Sequence, residues 1–288
     1  MISVIICSIN KTLAAQVQQN IAETIGVIWE LIIIDNTINP KGITEVYNQG
    51  AAVSKYEMLC FVHEDVLFTT KNWGKILIDT FTNDSRLGLI GVAGSKYKSK
   101  VPSGWFSGIA AIDCCNITHL DNINNRQMMY YNPDESKLIQ EVVVLDGVLL
   151  VCPKSVWQQV KFDNEILKGF HLYDLDFSFR VAEKYKVAVL YSIHLVHLTQ
   201  GGSFGNQWLS YTLLWHKKMK HRLPVITNDC TINKKEVDSV IIKKWLIRLK
   251  HESITTIHQF KWLLRVKIWT QMAAWPNVPL FLLKKYFK

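Results

Sequence analysis

The sequence predicts an α/β fold: a mostly parallel central sheet flanked by helices, extended by a basic helical C-terminal region. Three observations carry this. Short β-branched runs alternate with amphipathic helical stretches through residues 1–94. Several of those runs end on acidic or histidine side chains. The net charge of +9 is concentrated at one end of the chain. A chain of 288 residues can bury a substantial core, and it reads as a domain over 1–225 and an extension over 226–288, with the basic excess in residues 240–288. Its 49% hydrophobic content is that of a globular protein, not a disordered one.

Taken in order, Ser3–Cys7 is a short buried-strand run. Leu13, Val17, Ile21 and Ile25 recur every fourth residue, which predicts an amphipathic helix closed by Gly26. Glu30–Ile34 is a second strand and ends at Asp35-Asn36-Thr37. A short helix over Ile43–Ser54 leads to a third strand, Met58–Val62. A helix over Lys75–Phe81 precedes a fourth strand, Leu87–Val92, closed by Ala93-Gly94. This βαβαβαβ order predicts a parallel, doubly wound sheet with right-handed crossovers.

Residues 95–140 read as irregular, with Pro102, Gly104, Asn124, Asn125 and Asn132-Pro133 marking loops. Glu141–Val151 regains strand character around Asp146-Gly147. A helix begins near Asp174 and carries Phe177, Val181 and Tyr185 on one side. Lys186–Val196 reads as a strand that ends at His197, before Gly201-Gly202-Ser203. The six cysteines have no metal-ligand spacing and mostly apolar neighbours, so reduced core thiols are expected. The start lacks the basic segment of a secretory signal, and no apolar run is long enough to span a bilayer, which predicts a cytoplasmic location.

The stretch FVHEDVLF sets three titratable side chains, His63, Glu64 and Asp65, inside an otherwise apolar run. Burying an unpaired carboxylate is costly, so the strand must end there or something cationic must be bound. In open α/β sheets ligands bind outside the carboxyl ends of the strands. Asp35 and His63-Glu64-Asp65 both stand at such ends.

These motifs, in order, resemble family 2 glycosyltransferases, inverting enzymes of GT-A fold that use nucleotide-activated sugars. SVIICSIN is similar to that family's opening strand, and WELIIIDNT to its second strand with a terminal Asp on the nucleotide. YNQGAAVSKYEMLCFVHEDV resembles the block running from an Asn-x-Gly helix into the metal-binding DxD, and YDLDFSFR its ED-x-D-L-x-x-R. The resemblance spans roughly residues 1–205. Two departures stand out: His63 takes the first position of the DxD, giving an HEDV variant, and Tyr173 replaces the Glu of the ED pair. Phe177 also stands where the family has Leu.

The resemblance implies a bacterial-type inverting hexosyltransferase of polysaccharide biosynthesis. Its donor would be a nucleotide-diphosphate sugar, a UDP-sugar by default, and its acceptor a glycan or lipid-linked glycan. A divalent cation, Mn²⁺ or Mg²⁺, would neutralise charge on the leaving diphosphate. Asp65 is the expected metal ligand, with His63 and His197 beside it, and imidazole suits Mn²⁺ better than Mg²⁺. Ser8, Asn10, Asp35, Asn48 and Glu64 would line the nucleotide pocket. Asp174 matches the base that deprotonates the acceptor hydroxyl, and Asp146, Gly147, Tyr173 and Asp176 would face the acceptor.

Each residue also has a plainer reading. Asp174 or Asp176 could cap a helix, Asp35 could sit in an ordinary turn, and His197 could be a satisfied core histidine. Arg180 reads as the structural partner of a nearby acid. The departures at His63 and Tyr173 favour a catalytically silent nucleotide- or glycan-binding protein as the alternative. A nucleotidyltransferase would carry a Gly-rich phosphate loop after the first strand, and Ser8-Ile9-Asn10-Lys11 has no glycine.

Residues 240–288 contain ten Lys/Arg and one acid, Glu252, and carry Trp245, Trp262, Trp269 and Trp275. Ile241, Ile242, Trp245, Leu246 and Leu249 share one helical face, bordered by Lys243, Lys244, Arg248 and Lys250. Ile257, Phe260, Leu264 and Ile268 mark a second helix. Two readings follow: peripheral attachment to the anionic inner face of the plasma membrane, or packing back on the domain. Nucleic acid is not expected as a partner, because the Trp and Leu content exceeds what phosphate contacts need.

Overall fold

The computed structural model describes residues 1–121, 125–198, 204–252 and 254–267. Asn124, the Gly201-Gly202-Ser203 turn, Ile268, Trp269 and Trp275 lie outside the described residues, as does the side chain of Lys250.

The chain starts with β1 (Ile2–Ser8), α1 (Lys11–Thr24), β2 (Trp29–Asp35), α2 (Ile43–Val53) and β3 (Met58–Val62). Then come β4 (Val66–Phe68), α3 (Trp73–Asn83), β5 (Leu87–Gly91), β6 (Ala93–Ser95), β7 (Tyr97–Lys98), β8 (Asp113–Leu120) and β9 (Arg126–Tyr131). The second half runs β10 (Ile139–Glu141), β11 (Val144–Leu145), β12 (Leu149–Pro153), α4 (Lys154–Val160), α5 (Tyr173–Val181), β13 (Lys186–Leu190) and β14 (Leu195–Leu198). It closes with α6 (Gly205–Lys218), β15 (Val225–Ile226), α7 (Lys234–His251) and α8 (Thr256–Arg265).

A seven-stranded sheet in the order β10-β13-β5-β12-β3-β1-β2 forms the centre. Five of its strands run one way, and β10 and β12 run against them. The expected parallel core is therefore present, with β12 inserted antiparallel between β3 and β5. Helix α1 forms where predicted because Asn10 caps it, its side chain accepting from the amides of Thr12 and Leu13. Val17 and Ile21 turn inward on α1, and Gly26, at φ +69°, ends it in the left-handed region that glycine favours.

Three sequence expectations are corrected. Glu141–Val151 is not one strand but β10, β11 and the start of β12. The segment leaves the central sheet after β10, pairs with β6 through β11, and returns as β12. Val142–Leu145 stays buried through the first change of sheet, so that part of the run is uniformly apolar in sequence. Lys186–Val196 divides in the same way into β13 in the central sheet and β14 in the second, and Asn116 Nδ2 holds the crossing by donating to the carbonyls of Tyr191 and Ile193. Residues 95–140 are not irregular: β7, β8 and β9 lie there, and β8 lies inside a second sheet of order β11-β6-β8-β14-β4. β9 escapes detection because its residues are half-exposed or exposed and give no apolar alternation.

The described part of the basic tail packs on the domain. Ile241, Ile242, Trp245, Leu246 and Leu249 of α7 join one core cluster with Trp208, Leu209 and Trp215 of α6. Trp245 stacks on Trp208 at 4.3 Å, and the Arg248 guanidinium lies 3.6 Å from the Phe204 ring centroid. Trp262 is fully buried and donates through Nε1 to the Pro102 carbonyl. The apolar face of α7 thus covers protein. The described residues include no helix long and apolar enough to cross a membrane, and all six cysteines are free, four of them buried.

Candidate active site

The parallel strands bring Ser8, Asp35 and Val62 to one edge of the central sheet, since Ser8 is in register with Asp35 and β3 lies on the other side of β1. Because β12 runs antiparallel to β3, the Asp146-Gly147 turn before it reaches the same edge, with Leu149 opposite Val62. There His63 donates its amide to the Val148 carbonyl, and the chain turns through Glu64 and Asp65 into β4. β4 pairs with β14, which sets His197 opposite Val66. The cluster arises where the two sheets meet.

His63, Asp65 and His197 present ligand atoms that all lie within 4.8 Å of one another. Asp65 Oδ2 is 3.3 Å from His197 Nε2, and Asp65 Oδ1 is 3.9 Å from His63 Nδ1. All three side chains are mostly buried. Burial pushes the Asp65 carboxyl up, but the hydrogen bond from His197 and the charges of both histidines outweigh it and hold the carboxyl below its ordinary value. Burial pushes the His63 imidazole down despite Asp65. For His197 burial also lowers, but Asp65 prevails and the net shift is upward. Two imidazoles and a carboxylate fit a divalent ion that accepts nitrogen ligands.

Glu64 turns away from this cluster. Its carboxylate accepts from the Ser8 hydroxyl at 2.7 Å, and from the amides of Ile9 at 3.2 Å and Asn10 at 3.0 Å. Glu64 thereby ties the β1–α1 loop to the end of β3. Asp35 is exposed and accepts from the Thr37 amide and hydroxyl, which hold its carboxyl below the ordinary value. Asn48 is engaged elsewhere: it accepts from Trp157 Nε1 and the Phe162 amide, and donates to the Phe162 carbonyl.

At the start of α5, Asp174 Oδ2 accepts from the Gly147 amide at 3.0 Å. Burial, then the neighbouring Asp146, pushes the Asp174 carboxyl up to about 7. Neither Asp174 nor Asp176 caps the helix: the capping position is Leu172, at φ 66°, with no side-chain bond. Asp176 is buried, accepting from Arg180 Nε at 2.7 Å and from Trp215 Nε1 at 3.1 Å. Arg180 is the structural partner the sequence indicated. Asp146 accepts from Trp105 Nε1 and from the Val148 amide. Tyr173 is buried and its hydroxyl reaches both His63 Nε2 and the Gly147 carbonyl.

The fold therefore gathers His63, Asp65, His197, Asp146, Gly147, Tyr173 and Asp174 on one edge, with Ser8, Asn10 and Glu64 adjoining. Asn48 and Asp176 make structural bonds instead. Three neighbours carried no sequence signal. Trp105 contacts Asp146, Phe170 sits 5.6 Å from the His63 ring, and His119 sits 5.3 Å from the His197 ring. His119 reaches the site only through the register of β8 with β14, which sets it opposite His197.

A family model described as "Glycosyltransferase like family" matches residues 3–217. Among solved structures, the crystal structure of GalNAc-T7 with UDP, GalNAc and Mn²⁺ superposes with a TM-score of 0.52 at 10% identity, covering 74% of this chain and 47% of that one. The crystal structure of S. aureus TarS matches with a TM-score of 0.47 at 10% identity, covering 88% of this chain and 44% of that one. Its 1–349 fragment gives 0.47 at 11% identity, with 88% and 72% covered. The chain thus spans about half the length of the first two structures. No curated protein sequence matches it. The central sheet with its flanking helices is the GT-A arrangement, and over residues 3–217 the chain is a member of the glycosyltransferase-like family.

Proposed function

We propose that the protein is a metal-dependent, inverting glycosyltransferase that moves a sugar from a nucleotide-diphosphate donor to a glycan or lipid-linked glycan. The observation that carries this reading is the pairing, on one sheet edge, of a His-Asp-His cluster with a carboxylate held near pH 7. GalNAc-T7, of similar fold, binds UDP, GalNAc and Mn²⁺, which supports a UDP-sugar donor here.

His63, Asp65 and His197 would hold the divalent ion. When bound, the ion neutralises charge that develops on the departing diphosphate. The β1–α1 loop fixed by Glu64, together with Asp35, lines the nucleotide side of the crevice. Asp174 takes the proton from the acceptor hydroxyl as that oxygen bonds to the anomeric carbon and the nucleoside diphosphate leaves. Gly147 orients the base through its amide, and a pKa near working pH suits the role. Two imidazole nitrogens in the donor set support Mn²⁺ over Mg²⁺ as the ion.

The silent alternative rested on His63 and Tyr173, and the direct bond between those two side chains supports a built site instead. Incubation with a panel of nucleotide sugars and Mn²⁺ tests the reading. Release of one nucleoside diphosphate that stops with chelator supports it, and an inverted anomeric configuration in the product supports the direct displacement. No release from any donor, with nucleotide binding intact, returns the silent reading.

A further inference from the structure

We infer that Tyr173 is a positioning residue that sets the tautomer of His63, so that Nδ1 offers its lone pair toward Asp65 while Nε2 keeps the proton. The inference rests on the proposed metal role of the cluster. It starts from two departures from the resembled family, His63 for Asp and Tyr173 for Glu, which are in direct contact: His63 Nε2 lies 2.6 Å from Tyr173 Oη.

The hydroxyl has one proton to give; His63 Nε2 and the Gly147 carbonyl are its close partners, and the Tyr47 hydroxyl also lies beside it, able to donate to its second lone pair. The Gly147 carbonyl, at 3.1 Å, can only accept. If Tyr173 donates to Gly147, the Nε2–H of His63 donates to Tyr173 Oη, and all three groups are satisfied in one chain. Nδ1 is then unprotonated and faces Asp65 Oδ1 at 3.9 Å, a gap that an ion bound to both atoms could fill. In the opposite tautomer the Nδ1 proton would meet Asp65 Oδ1 across 3.9 Å, too far for a hydrogen bond, and Nδ1 would have no lone pair to offer.

The surroundings hold this geometry. The Tyr173 ring is buried and meets Tyr47 edge-on at 5.7 Å. The backbone at 147 admits the hydroxyl only because it carries no side chain: a Cβ there would fall 2.0 Å from Tyr173 Oη. A partner that fixes a ligand's tautomer typically changes metal affinity 10–100-fold.

The test reads the tautomer and the affinity separately. Long-range ¹H–¹⁵N spectra of the metal-free, ¹⁵N-histidine-labelled full chain at pH 8 report the tautomer, with His63 assigned by its loss in His63→Gln. The expected result is an Nε2–H tautomer in the wild type. In Tyr173→Phe, which keeps the ring, that pattern should be lost and Mn²⁺ affinity should fall about 10–100-fold by calorimetry. An Nδ1–H tautomer in the wild type overturns the inference without any variant, and so does unchanged Mn²⁺ affinity in Tyr173→Phe. A wild type that binds no Mn²⁺ at all overturns the metal reading itself, a failure distinct from the wrong tautomer because the spectra are recorded without metal.

Discussion

His63 Nε2 and Tyr173 Oη lie 2.6 Å apart, although the residues are 110 positions apart in sequence. They occupy the two positions where the motifs depart from the family they resemble. Viewed separately, each departure weakens the case for an enzyme. In contact, they form an imidazole–phenol pair at the edge of the sheet.

Asp174 should govern the acid limb of the pH–rate profile. Burial and Asp146 hold its carboxyl near pH 7, so it is protonated and inactive as a base below that value. kcat/KM is expected to rise with pH through about 7 and to fall about 10²–10⁴-fold in Asp174→Asn at the plateau, with donor affinity retained. The sign for stability is opposite. A carboxyl raised in the folded state destabilises the fold above its folded pKa and has no effect below its unfolded one. Asp174→Asn should therefore raise Tm at pH 8 more than at pH 4. Equal turnover of variant and wild type would transfer the base to another acid.

Gly147→Ala should damage the site without touching the metal cluster directly. The new Cβ would lie 2.0 Å from Tyr173 Oη, 2.5 Å from Tyr173 Cζ and 3.1 Å from Asp174 Cβ. Overpacking of this kind costs about 1–3 kcal/mol, and the displaced groups include Asp174, the proposed base, and Tyr173, the partner of His63. Denaturant unfolding and initial rates check both. A variant with wild-type stability and rate would mean that this turn has room to spare.

Trp245→Ala tests whether α7 belongs to the domain. The ring is 6% exposed and stacked on Trp208, so its removal should cost about 3–5 kcal/mol. Lys243→Ala, on the same helix, serves as the surface comparison. A change in unfolding free energy below about 0.5 kcal/mol for Trp245→Ala, typical of surface positions, would contradict the packing.

Among the described residues of the tail, α8 presents an exposed apolar face on which a membrane contact can be tested. Its Ile257, Phe260 and Leu264 are 57%, 53% and 48% exposed, with Lys261 and Arg265 among them. Sedimentation with anionic vesicles should capture the wild type and release a variant with all three changed to Ser, while neutral vesicles capture neither. Equal capture of variant and wild type would take the contact away from this face.

Much of the fold was legible because periodicity reports burial. β1 to β3 and the helices between them read correctly, and the polar ends of β1 and β3 pointed to the edge where His63 and Asp65 meet His197. What stayed hidden depends on tertiary pairing. Val142–Leu145 is uniformly apolar, so nothing in it signals a change of sheet. β9 is exposed and lacks alternation. His119 reaches the site through strand register, which no local pattern encodes. The basic tail shows the reverse case: an apolar face with bordering lysines looks the same in sequence whether it meets lipid or protein, and α7 meets protein.

Calorimetry of UDP, GDP, dTDP and CDP with and without Mn²⁺, on wild type and Asp65→Ala, decides whether His63, Asp65 and His197 form a metal–nucleotide site. One nucleotide, UDP by expectation, should bind the wild type with Mn²⁺ and be lost with chelator, and Asp65→Ala should lose the metal-dependent part. Nucleotide affinity that is the same in Asp65→Ala as in the wild type with Mn²⁺ present, or no binding of any nucleotide to the wild type, would contradict a metal–nucleotide site there.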